Sequence, residues 1–72
     1  MKQQIYKALL MRYQAQMEES IVRIDALMKA EVVPGHSDIV GEIDKHLSHV
    51  ASAKEKMATL RHYYGNNGAS SP

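Results

Sequence analysis

The sequence predicts an all-α protein, an antiparallel two-helix hairpin that dimerises into a four-helix bundle. Three observations predict it. No Gly or Pro interrupts the chain between Lys2 and about Glu31, a Pro-Gly pair then stands inside EVVPGHSD, and a second amphipathic stretch runs from Asp38 to Tyr64. A chain of 72 residues buries only about 60% of the surface its unfolded form exposes, so a partner or a second copy is expected to complete the core. With no cysteine, neither a disulfide nor a zinc-thiolate cluster substitutes for packing.

The first helix is expected over residues 2–31, where Ala, Leu, Met, Gln, Glu, Lys and Arg dominate, residue types that lose little rotamer freedom in a helix. Tyr6, Leu9, Leu10, Tyr13, Met17, Ile21, Ile24, Leu27 and Met28 recur at spacings of three and four and so share one stripe, interrupted by Ser20. Lys7, Gln14, Glu18, Asp25 and Lys29 lie around the back. A smaller second stripe of Ala8, Met11, Ala15, Val22 and Ala26 runs along a neighbouring face. It reads either as a place where another helix approaches closely or as Ala used simply as a good helix former.

The turn is expected at 32–37. Pro34 disfavours helix at Val33, Gly35 tolerates positive φ, and Ser37 is the predicted N-cap of the next helix. A connector this short joins antiparallel neighbours. The second helix, expected over 38–64, opens with Asp38, Glu42 and Asp44 and closes with Lys54, Lys56 and Arg61, acids and bases where the helix dipole favours each. Its apolar set is Ile39, Ile43, Leu47, Val50, Ala53, Met57, Leu60 and Tyr64, a stripe that drifts as a spacing near 3.5 residues does and that predicts supercoiling against a neighbour. Gly41 costs about 0.5–1 kcal/mol inside a helix and marks either a close approach or tolerance near the first turn. Gly65 is the predicted C-terminal cap, and 65–72 is a tail without periodicity, expected to be disordered.

Two helices alone leave each stripe half open to water. Closing two hairpins over one another makes Leu10, Tyr13, Met17, Ile21, Ile24 and Leu27, with Ile39, Ile43, Leu47, Val50, Met57, Leu60 and Tyr64, the expected core of a homodimer.

Charged residues are 24% and hydrophobic residues 44% of the chain, a balance that argues against disorder. The net charge of +1 argues against a protein that grips many phosphates over its whole surface. No apolar run approaches the roughly 20 residues of a membrane span, so a cytoplasmic protein with no membrane partner is expected. Folding the chain back sets Lys2, Lys7, Arg12, Lys54, Lys56, Arg61 and His62 at one pole and Asp25, Glu31, Asp38, Glu42 and Asp44 at the other. Such segregation favours head-to-tail packing of two copies and a dimer that weakens modestly with salt.

All four aromatic residues, Tyr6, Tyr13, Tyr63 and Tyr64, fall at the basic pole. Tyr64 continues the core stripe and is expected to plug the end of the bundle. Tyr63 points about 100° away. Flanked by Lys56, Arg61 and His62, it has the composition of a contact hot spot, with a simple lid over the bundle end as the competing reading.

Chemistry is sparse. His46 and His49 stand three apart with Glu42 four before His46, a spacing that sets them on one side of a helix as candidate metal ligands. The bundle di-iron pattern of Glu followed three later by His is absent, since Lys45 follows Glu42 by three, and boundary positions beside the core are the plainer reading. Without Cys, a Ser with a base, or a glycine-rich phosphate loop, neither an enzyme nor a bound cofactor is expected. The expected function is a non-enzymatic adaptor or regulator, of the size typical of phage, plasmid or bacterial accessory proteins, docking on a larger protein through Lys56, Arg61, His62 and Tyr63 and through Met11, Ala15 and Val22. The alternative is a nucleic-acid-binding hairpin dimer whose Lys2, Lys7, Arg12, Lys54, Lys56 and Arg61 contact phosphates.

Overall fold

The structure is a computed structural model and describes residues 2–30 and 38–65. It is all-α, with helix α1 spanning Lys2–Lys29 and helix α2 spanning Ile39–Tyr64, packed along their length as a hairpin. The expected turn at 32–37, with Pro34, Gly35 and Ser37, and the tail from 66 onward lie outside the described residues. Both helices meet the sequence expectation, with α1 closing two residues earlier than expected. The Ala30 N–H donates to the Leu27 carbonyl at 3.2 Å, a tightened last turn of the kind that ends helices.

The antiparallel arrangement is visible at the open end, where the start of α1 lies beside the end of α2. A Cβ added to Gly65 would come within 2.9 Å of the Tyr6 hydroxyl, and the Lys56 ammonium stands 5.6 Å from the centre of the Tyr13 ring. Tyr6 is therefore level with Gly65 and Tyr13 with Lys56, which fixes the register for the whole hairpin.

Between the helices the stripes meet as the spacing requires. Ile24, Ala53 and Met57 are buried, flanked by half-buried Leu9, Leu10, Tyr13, Met17 and Leu27 from α1 and Ile39, Ile43, Val50 and Leu60 from α2. Ser20, which breaks the apolar stripe in sequence, is itself buried. It and Ala53 are the small side chains of the interface near mid-length, where small residues let two helices approach closely.

The caps differ from expectation in detail. Asp38, not Ser37, caps α2, its carboxylate accepting from the Gly41 N–H at 3.0 Å. This accounts for Gly41, because a Cβ there would collide with the capping carboxylate. Gly65 does cap α2, its N–H donating to the Arg61 carbonyl at 3.0 Å, but with φ of −77° it uses extended backbone rather than the left-handed form.

Three residues expected in the core are exposed on the hairpin: Ile21, Leu47 and Tyr64. Tyr64 does not plug the end of the hairpin. The last turn of α2 is met there by Tyr6, which is half-buried while Tyr64 is 75% exposed. Among the described residues, no helix is long and apolar enough to cross a membrane.

Candidate protein-interaction site

The hairpin measures 55 × 20 × 14 Å, a flat slab with two broad faces. Helix geometry decides what each face carries. Seven residues advance a helix by nearly two full turns, so every seventh side chain forms a row almost parallel to the axis. In α1 the row next to the interior stripe reads Lys7, Gln14, Ile21, Met28, and in α2 it reads Val40, Leu47, Lys54, Arg61. Viewed down α1, its row lies about a quarter turn clockwise of the interior. From the same viewpoint α2 runs toward the observer, so the corresponding row turns the other way and reaches the same side of the slab.

The local geometry agrees. Leu10, Met11, Gln14, Ala15 and Glu18 of α1 line one open groove of ≈ 400 Å³ together with Met57 and Arg61 of α2. This face is divided along its length. At the turn end stand Ile21, Met28, Val40 and Leu47, exposed by 42%, 67%, 78% and 51%. At the open end lie the groove and the cations Lys7, Lys54 and Arg61. Asp25 and Asp44 border the apolar half, and Gln14 donates to Glu18 at 2.9 Å near the middle.

The opposite face is mainly polar and basic, with Ile5 exposed at its open end on the row of Arg12 and Glu19. It carries Arg12, Glu19 and Arg23 from α1 and Lys45, His49, Lys56 and Tyr63 from α2. Arg23 is bound to Glu19 at 3.0 Å, an exposed pair one turn apart, and Lys56 lies over Tyr13 at cation–π range. Tyr63 is 70% exposed, with the His62 ring packed edge-on against it at 4.6 Å and the Tyr64 ring 6.4 Å away.

The sequence-derived contact set is thus split between faces. Met11, Ala15 and Arg61 come together in the groove, whereas Lys56 and Tyr63 lie on the basic face with His62 against the Tyr63 ring. Val22 is exposed on the outer edge of α1. Arg61 therefore does not flank Tyr63 as sequence adjacency implies. The picture of a basic and an acidic pole is also too simple, because Arg23, Lys29 and Lys45 stand in the turn half among Asp25, Asp38, Glu42 and Asp44. On the grooved face the cations Lys7, Lys54 and Arg61 stand in the open half and Asp25 and Asp44 border the turn half, with Glu18 between them at the edge of the groove. Sequence reading missed Val40, Arg23 and Lys45; the seven-residue rows would have found Val40.

Candidate metal ligands His46, His49 and Glu42 do lie together at one edge of the interior. The His46 and His49 rings meet edge-on at 5.8 Å, and His46 Nε2 is 4.0 Å from Glu42 Oε1. His46 Nδ1 is buried without a hydrogen-bond partner. Among the described residues, no three His, Asp or Glu side chains are grouped to hold a metal ion.

Comparison with known protein families, with curated proteins and with solved structures finds no match.

Proposed function

We propose that this protein is a non-enzymatic interaction module of the cytoplasm, a small adaptor or regulator that works by docking its apolar broad face against another helical surface. The observation that carries this reading is the exposure of Ile21, Met28, Val40 and Leu47 on one face beside a hairpin core whose buried apolar residues, among those described, are Ile24, Ala53 and Met57. Contiguous exposed apolar surface of this kind marks contact sites in soluble proteins. Methionine suits such surfaces because its unbranched side chain adapts to what it meets.

Met28 supplies the test. Peroxide oxidises exposed methionine, so its rate in an extract of the cells that make the protein is compared with that in dilute purified protein. The reading expects Met28 to be protected in the extract. Equal oxidation in both would show that the face stays open, and would contradict it.

A second reading is favoured by the opposite face. Arg12 stands near Lys56, and Arg23 near Lys45, two cationic pairs separated by 11 residues on each helix, or about 16 Å at 1.5 Å per residue. That face suits a nucleic-acid backbone, with Tyr63 available for stacking. Four phosphate contacts give an affinity that falls with salt at a logarithmic slope of about −3.6. A salt-independent affinity, or none, removes this reading.

A further inference from the structure

We propose that the apolar face is closed by a second copy of this chain, packed head to tail with α1 on α1 and α2 on α2. The proposal rests on the interaction reading above and names the occupant of that face. Three observations point to it.

The first is shape. One half of the face projects side chains, with Met28 and Val40 furthest from cover, and the other half holds the groove lined by Leu10, Met11, Ala15 and Met57. Turning a second copy end for end seats the projecting half of each in the groove half of the other.

The second is charge. Lys7, Lys54 and Arg61 mark the groove half of this face, and Asp25 and Asp44 border the projecting half. Head-to-tail packing brings Lys7 opposite Asp25, and Arg61 opposite Asp44, of the second copy. Parallel packing would set cations against cations at one end and carboxylates against carboxylates at the other. Opposed patches of this sort select orientation more than they add affinity. Lys54 and Arg61 also lay their methylene stems over the apolar row of the facing copy while their charged ends reach its acidic border. Glu18 and Gln14, paired with each other, stand toward the middle where the two copies cross.

The third is the smallness of the core. A free hairpin with so few buried apolar side chains among the described residues is a marginal structure, and a bundle of four helices removes the deficit without another gene product.

The experiment uses the whole chain and two charge-reversed variants, Lys7→Glu/Arg61→Glu and Asp25→Lys/Asp44→Lys. All four positions are exposed, so each variant can keep its hairpin, and circular dichroism at high concentration checks that it does. Sedimentation should show the unaltered protein as a dimer, each variant alone with its dimer dissociation constant raised about tenfold or more, and an equimolar mixture of the two restored to a heterodimer. A parallel dimer would be indifferent to either reversal alone, because like charges meet before and after, and that indifference would overturn the proposal. A monomeric unaltered protein would overturn it too. If Met28 were nevertheless protected in the cell extract, the interaction reading would survive with a different protein as occupant; if it were not, both would fall.

Discussion

The two broad faces of this hairpin are built from the same two helices at the same spacing, yet one carries a divided apolar and charged surface and the other a polar, largely cationic one. Ile21, Met28, Val40 and Leu47 stand on the first; Arg12, Arg23, Lys45 and Lys56 stand on the second. A protein meant to remain a free hairpin has no use for the difference, since either face would be served by solvated side chains. The asymmetry supports the proposal that the face with the groove is the one a second copy covers.

The comparison can be broken or sharpened by substitution. The largest effect belongs to neither face. Ile24→Ala removes a buried side chain from the interior and should cost about 2–5 kcal/mol in chemical denaturation, enough to unfold a hairpin this small. On the apolar face, Leu47→Ser should weaken self-association by about tenfold or more, roughly 1.4 kcal/mol, seen as a lower melting temperature at a given protein concentration. A melting curve unchanged by this substitution would mean that Leu47 is only surface. Asp38→Ala should cost about 1 kcal/mol through loss of the cap, and Gly41→Ala should fail to give the gain expected of Ala in a helix, because its methyl group displaces the same carboxylate. His46→Leu should leave stability unchanged or raise it by about 1 kcal/mol, since it removes a buried nitrogen with no partner. Marked destabilisation would show that His46 makes an interaction the hairpin alone does not contain. Smallest of all, Arg23→Ala on the basic face should shift stability by only about 0.3–0.5 kcal/mol, the worth of an exposed pair one helical turn apart.

How far the sequence reaches is plain from particular residues. Leu10, Tyr13, Met17, Ile24 and Met57 repeat at three and four and face the interior, because amphipathic spacing alone dictates which side of a helix is covered. Asp38 was visible as an acid at the head of the second helix, but its capping turns on its extended backbone, φ −73° and ψ 96°, which spacing does not encode. Arg61 and Tyr63 are two apart in sequence and on opposite faces of the slab, and Val40 is adjacent to half-buried Ile39 in sequence but joins Leu47, seven residues on, in one exposed row. Such groupings depend on handedness and on the antiparallel sense together, so they emerge only when both helices are placed. Tyr64 continues the apolar stripe of α2, yet it is exposed where Tyr6 meets the last turn. A periodic pattern marks direction around a helix and is blind to where the neighbouring helix ends.

The central claim is that the grooved face is an interior awaiting a second copy, and the most direct measurement is the mass of the unaltered protein in solution across a dilution series, with helicity followed alongside. The account predicts a dimer whose helicity falls as it dissociates. A helical monomer at every concentration would contradict it.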